Sequence, residues 1–203
     1  MELFPKHSFE LFNLFWFPMI YGILSIIVML NVKKESKKRM LTYPKYVSKT
    51  NKFFSLGFMI VFGKLIILYS IFVPIIAFTA YFYIGVVIYL VSISCSVYAM
   101  YYFSKADTSK PVTKSIYKYS RHPMQVMYYL SWIGLGFISG TWIIIIYTIV
   151  FSILTIPTLI AQEKDCIEQY GDEYVEYLKR TPRFIFFKWK NWYKDRQIEH
   201  YYI

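Results

Sequence analysis

Residues 123–160 run PMQVMYYLSWIGLGFI, then SGT, then WIIIIYTIVFSILTIPTLI. The two apolar blocks, 123–138 and 142–160, hold no acidic or basic side chain, and Ser139-Gly140-Thr141 is all that joins them. A block with no polar face lacks the 3.6-residue alternation of a helix lying against water, so its natural solvent is lipid. At about 1.5 Å per residue each block crosses most of a ~30 Å hydrocarbon core, and the three small residues leave room only for a tight turn. The stretch predicts a transmembrane helical hairpin. Gly136 and Gly140 have the small-xxx-small spacing that permits close helix approach, with Gly140 expected in the turn. Pro157, which cannot donate to the carbonyl of Ile153, is expected to bend the second arm near Thr155 and Thr158.

Working outward, three more apolar blocks precede the hairpin, at 11–30, 53–78 and 81–103, and the only charge inside them is Lys64. Charged residues make up 17% of the 203-residue chain, against roughly 25% in soluble domains, while 57% are hydrophobic and 22% aromatic. The expected fold is all-α: one integral membrane domain over 1–203, a bundle of about five transmembrane helices with a cytosolic C-terminal segment. The block at 11–30 is too long for a signal-peptide core, and a basic cluster follows it in place of a cleavage site. The block at 53–78 exceeds the bilayer thickness, and Pro74 is its expected kink. Lys64 has two readings, an amine that snorkels to the headgroups or one that lines a cavity.

The net charge of +11 is placed by topology. Residues 31–52 carry eight lysines and arginines, 104–122 carry five and the tail after Gln162 carries eight, whereas the turns at 79–80 and 139–141 carry none. The positive-inside rule assigns the three basic segments to the cytosol and the N-terminus to the opposite side, in a prokaryotic cell membrane or the endoplasmic reticulum. No aromatic-basic motif of a nucleic-acid-binding fold accompanies the charge, so nucleic acid is not an expected partner. The two cysteines, Cys95 and Cys166, build neither a disulfide framework nor a metal site.

Polar chemistry concentrates in two places. Tyr117-Lys118-Tyr119-Ser120-Arg121-His122-Pro123 leads into the fourth helix, with Pro123 suited to its first position. The N–H groups of Met124 and Gln125 then face the cytosol beside Arg121 and His122, an arrangement fit for a carboxylate or phosphate. The bland alternative makes Arg121, Lys118 and the tyrosines interfacial anchors. The second constellation is Gln162-Glu163, Gly171, Tyr174, Tyr177 and Arg183 beyond the fifth block. Its bland alternative is a solvated helical extension. Gly171 is expected to close the fifth helix and Asp172 to cap a short one that Pro182 ends. Because the hairpin returns the chain to one face, both constellations are expected to meet there. Further on, Phe184, Phe186, Phe187, Trp189 and Trp192 alternate with Lys188, Lys190 and Lys194, a composition suited to headgroups.

The run Ser109-Lys110-Pro111-Val112 through Arg121-His122-Pro123, the apolar hairpin, Gln162-Glu163, Gly171-x-x-Tyr174-x-x-Tyr177 and Pro182-Arg183 resembles the isoprenylcysteine carboxyl methyltransferase and phospholipid methyltransferase superfamily over about residues 105–187. The resemblance implies S-adenosylmethionine as cofactor, bound by the segments 104–122 and 162–187. Its implied contacts are Lys110, Pro111, Val112, Tyr117, His122, Pro123, Met124, Gln125, Gln162 and Glu163, to which Tyr119 is added as an aromatic face for the sulfonium and Arg121 as a cation for the carboxylate. It also implies a lipophilic or prenylated acceptor entering from the membrane lipid, for which Thr155, Thr158 and Lys64 are the candidate contacts. This chain departs from the family at Gln125 and Met127, where a tyrosine and a glycine are usual, at Gln162, the place of the first acid, and at Thr158, where prenylcysteine enzymes carry an arginine. Methyl transfer needs no metal and no catalytic triad, and the missing Gly-x-Gly-x-x-Gly turn excludes a Rossmann methyltransferase. Two rival readings remain: an NADPH-dependent lipid or sterol reductase of related architecture, and a membrane subunit or transporter without catalysis.

Overall fold

The computed structural model of the chain describes residues 1–3, 13–47 and 63–184, and among them it is helical, with two isolated β-bridges and no strand. The elements are α1 (Trp16–Leu30), α2 (Lys34–Leu41), α3 (Ala80–Lys105), α4 (Pro123–Ile138), α5 (Trp142–Leu154), α6 (Ile156–Tyr170) and α7 (Asp172–Arg180), with a 3₁₀ turn at Ser115–Lys118. Residues 63–70 form a further helical segment. Residues 11–12, 53–62 and 185–187 of the expected elements, and the aromatic-basic tail beyond Phe184, lie outside the described residues.

Among the described residues two helices are long and apolar enough to cross a membrane, Ala80–Lys105 and the nearly continuous Trp142–Tyr170. Only 28% and 33% of their most apolar windows are buried, so neither is the core helix of a water-soluble protein. Ile84, Val87, Leu90 and Val91 on α3, and Ile146, Ile149, Val150 and Ile153 on α5, point outward uncovered. On α1, Ile20, Ile23, Ile26, Ile27 and Leu30 do the same. An apolar surface of that extent, on helices of membrane-crossing length, is suited to lipid.

The core is built on backbone contact between α3 and α4. A Cβ on Gly85 would sit 2.6 Å from the Gly134 carbonyl oxygen, and one on Gly134 would sit 2.9 Å from the Gly85 oxygen and the Tyr89 nitrogen. These two glycines bring α3 and α4 together, while of the Gly136/Gly140 pair only Gly136 serves close helix approach, between α4 and α5. Gly136 abuts Ile145 across the hairpin, and Gly140 makes the turn at φ +62°. Ser92, Ser96 and Ala99 extend the small-residue stripe of α3, and the Tyr21 hydroxyl pairs with Ser96 Oγ at 2.9 Å. Leu14, Val73, Tyr89, Ile93, Trp132, Leu135 and Ile138 fill the space beside it.

The expected boundaries shift in four places, each for a local reason. The first helix begins at Trp16, because the turn at 13–15 is held by Leu14 N–H to Val73 and Phe15 N–H to Ser70. The helical segment of the second block stops at Ser70 and does not run to 78. Pro74 has no N–H for the Ser70 carbonyl, and that oxygen takes the Phe15 N–H at 3.1 Å instead. In the second hairpin arm the apolar block ends at 160 but the helix, after a break at Thr155 where Pro157 was expected to act, runs on as α6 to Tyr170, with Gly171 as its C-cap as expected. At the next corner the N-cap of α7 is Gly171 itself (φ +55°), with Asp172 in the first turn and no side-chain cap, so Asp172 does not play the expected capping part.

One end of the bundle gathers residues 1–3, the 139–141 turn and the 71–79 connection: Glu2 N–H bonds Gly140, Trp142 N–H bonds Glu2, and Ile76 N–H bonds Ile138. The opposite end gathers α2, the 106–122 connection, α6 and α7.

Candidate cofactor cavity

At that second end lies a cavity of about 440 Å³. Its floor is the start of α4. His122 is the N-cap, Pro123 occupies the first turn, and the first helical bond runs from Val126 N–H to the His122 carbonyl at 3.1 Å. The helix pattern thus leaves the N–H groups of Met124 and Gln125 without an intrahelical acceptor, and both residues line the cavity. One wall is the 106–122 connection. Asp107 Oδ1 accepts the N–H and the hydroxyl of Ser109, each at 2.9 Å, and these bonds hold its carboxyl below the usual range. Pro111 and Val112 follow along the wall. The 3₁₀ turn then swings Tyr117 inward, buried against Phe103, with its hydroxyl donating to the Ala99 carbonyl.

Beneath the cavity is a buried charge cluster. Glu163 is fully enclosed, and its carboxylate accepts from Arg183 Nε at 3.0 Å and Nη2 at 2.7 Å, meets Arg121 Nη1 at 3.0 Å and pairs with His122 Nε2 at 3.1 Å. An isolated carboxylate there would face a desolvation penalty of several kcal/mol, which this surround of charge-assisted bonds offsets. Two guanidinium ions against one carboxylate leave a surplus positive charge under the α4 N-terminus. The cluster excludes both bland readings: Arg121 is no interfacial anchor and Glu163 is no solvated helix extension.

Around the cluster, the C-terminal segment is tied down by Arg121 N–H to the Pro182 carbonyl (3.0 Å), Ser120 Oγ to the Arg183 carbonyl (2.8 Å) and the Tyr177 hydroxyl to the Tyr117 carbonyl (2.6 Å). Burial pushes the Tyr177 phenol above its ordinary range despite the opposing charge of Arg121, so it stays a neutral donor.

The structure brings most of the expected residues together. Pro111, Val112, Tyr117, Arg121, His122, Pro123, Met124, Gln125 and Gln162 all line the cavity. Glu163 stands behind it, because consecutive helical residues diverge by about 100°. Tyr119 is exposed beside the Lys118 ammonium, and neither it nor Lys110 reaches the lining. Thr155, Thr158 and Lys64 are also absent from the lining: the Thr155 hydroxyl bonds the Ser152 carbonyl and Tyr129, and Lys64 is exposed.

Two contributions were not anticipated. Helix α2 covers the cavity, with Glu35, Lys38 and Arg39 in its lining and the Arg39 guanidinium 4.4 Å from the centre of the Phe103 ring. Its basic run had served only as a marker of topology, although eight residues with Glu35 in the first turn and Arg39 in the last already had helix character. The other is the cavity-facing side of α6 beyond Gln162.

No curated protein and no solved structure matches the chain. A family model does, that of phospholipid methyltransferase, over residues 75–173. The matched region runs from just before α3 to just after α6 and so contains the cavity floor, its 106–122 wall and Glu163. Residues 75–173, just under half of the chain, are thus similar to the phospholipid methyltransferase family.

Proposed function

We propose that the protein transfers a methyl group from S-adenosylmethionine to a lipophilic acceptor at the membrane–cytosol boundary. The observation that carries the reading is the cavity itself. Its volume falls within the ~300–1,000 Å³ typical of cofactor pockets, and its lining is divided about evenly between apolar or aromatic side chains and polar or charged ones, as a charged and partly aromatic cofactor requires. The surplus positive charge and the open N–H groups at the α4 N-terminus suit the carboxylate of the amino-acid end. Tyr117, Tyr170 and Phe103 supply the aromatic faces that a sulfonium prefers.

When bound, the cofactor supplies an activated methyl group to a lone pair on the acceptor, the bond to sulfur breaking as the new one forms. The chain's part is to orient and to keep water out, since alignment alone is worth the equivalent of about 10⁵–10⁸ M. Arg121 and His122, fixed by Glu163, shape the anion end. Helix α2 shields the cavity from the cytosol. The acceptor approaches from the bilayer with no arginine at position 158 to pair a free carboxylate. A buried carboxylate without a cation is costly, so an amine or other lipid headgroup suits the site better than prenylcysteine.

As a whole the chain is proposed to be one multi-pass domain, with α2 and the cavity on the cytosolic side and the N-terminus opposite. Calorimetry of the detergent-solubilised protein tests the cofactor: S-adenosylmethionine is expected to bind and NADPH is not. Saturable NADPH binding alone would instead indicate a reductase. Radiolabelled methyl transfer to phosphatidylethanolamine, compared with farnesylcysteine, tests the acceptor. A base-labile ester on farnesylcysteine would reverse the preference.

A further inference from the structure

Resting on the cofactor reading above, we infer that Asp165 is a ligand-binding residue of the cavity, supplying the carboxylate that position 162 lacks. Gln162, Asp165, Cys166, Gln169 and Tyr170 stand at i, i+3, i+4, i+7 and i+8 on α6, and all five line the cavity. They form one helical face. Glu163 lies off that face, its carboxylate occupied by Arg121, His122 and Arg183, so it has no charge to offer a ligand. Asp165 is therefore the one acid that α6 turns toward the cavity. Its Oδ2 accepts the backbone N–H of Lys45 at 3.0 Å, which fixes the carboxylate against the segment that follows α2. Its Oδ1 is buried and has no hydrogen-bond partner among the described residues. A buried acceptor left open is unfavourable unless a donor arrives. Asp165 lines the cavity, so a ligand seated there is the donor nearest at hand once the side chain turns Oδ1 toward it.

S-adenosylmethionine carries three kinds of donor, the α-ammonium, the ribose hydroxyls and the adenine amine, and of these the charged ammonium and the hydroxyls make the strongest bonds to a carboxylate. The cations already near the α4 N-terminus suit the carboxylate and not the ammonium, so a separate anion on the α6 wall completes the recognition of a zwitterion. The same carboxylate would equally accept from a ribose hydroxyl, and the experiment separates the two.

Calorimetry would compare the wild type with Asp165→Asn, an isosteric change, and with Glu168→Gln, which removes a half-exposed charge from the same helix. Asp165→Asn is expected to bind S-adenosylmethionine about ten-fold or more weakly, as for loss of one charge-assisted bond, with unchanged melting, while Glu168→Gln binds as the wild type does. Two analogues, one lacking the α-amino group and one with a 2′-deoxyribose, identify the donor. The analogue without the partner group binds the wild type about ten-fold more weakly and is indifferent to Asp165→Asn. Undiminished binding by Asp165→Asn beside a binding wild type would overturn the assignment of Asp165 alone. A wild type that binds no S-adenosylmethionine would sink the cofactor reading and this inference with it. Should Asp165→Asn melt early, the wild type still decides: equal affinity for the cofactor and both analogues overturns the proposal.

Discussion

The two ends of the bundle are held together by different physics. The end containing residues 1–3 and the 139–141 turn is closed by neutral backbone hydrogen bonds, such as Glu2 N–H to Gly140, and by small residues packed tightly. The other end is built from charges removed from water, with Arg121, His122 and Glu163 all buried and a cavity above them. The first kind of closure tolerates no volume but has little chemistry. The second demands full pairing, since a half-satisfied ionic network is worse than none, yet it leaves a field a ligand can use. Both ends thus hold the fold, but only the charged one offers the field that the proposed ligand would use.

The sharpest test of that division is topological. In a chain with Cys95 and Cys166 replaced by serine, a cysteine at Phe78 is expected to react with an impermeant reagent from outside the cell, and one at Ser109 only after permeabilisation. Phe78 is the right reporter because it is 86% exposed, whereas Ser139 in the adjacent turn is fully buried. Labelling of both positions from the same side would erase the distinction between the ends. Next in size is Glu163→Ala, which leaves two guanidinium ions facing each other. It is expected to cost about 3–5 kcal/mol in denaturant unfolding and to abolish cofactor binding. An unaltered unfolding midpoint would mean that the cluster does not hold that end.

At the α3–α4 contact, Gly85→Ala drives a methyl group against the Gly134 oxygen and the Ile138 nitrogen, both backbone atoms that cannot swing aside. A loss of about 1–3 kcal/mol is expected, with S-adenosylmethionine affinity kept in the protein that remains folded. A selective loss of affinity would show the ends to be coupled. A smaller change is Tyr177→Phe, removing one buried donor to the Tyr117 carbonyl, for about 0.5–1.5 kcal/mol. Least of all is Lys45→Ala. Its partner Glu168 is half exposed, so no measurable change in melting temperature is expected.

Much of this was visible in residue order. The hairpin at 123–160 could be recognised because length and uninterrupted apolarity do not depend on what packs where, and Pro157 and Gly140 act through their own backbones. The convergence of Arg121–Gln125 with Gln162 followed from the hairpin alone. What resisted reading depended on direction. Gln162 and Glu163 are neighbours in sequence, yet one lines the cavity and the other anchors the buried cluster. Only the helix phase separates them, and phase needs a known partner. Tyr119 and Tyr117 divide in the same way, because the 3₁₀ turn between Ser115 and Lys118 sets which ring turns inward. The role of α2 was hidden by its charge, since five basic residues in 33–39 satisfy the topology rule before any packing is considered. The end of the second helix at Ser70 needed the knowledge that Phe15 supplies the donor that Pro74 lacks.

The tie between Arg183 and Glu163 carries an implication for how the molecule is made. Synthesis proceeds from the N-terminus, so every residue of the hairpin is made before residues 181–183. Until Arg183 arrives, Glu163 lacks its two-pronged partner, and Ser120 and the Arg121 amide lack the carbonyls of Arg183 and Pro182. The apolar scaffold is thus made first, whereas the charge cluster under the cavity is completed by the last described stretch of the chain to be translated. A chain cut short of that point would keep its apolar helices but lack the tie that closes the cluster.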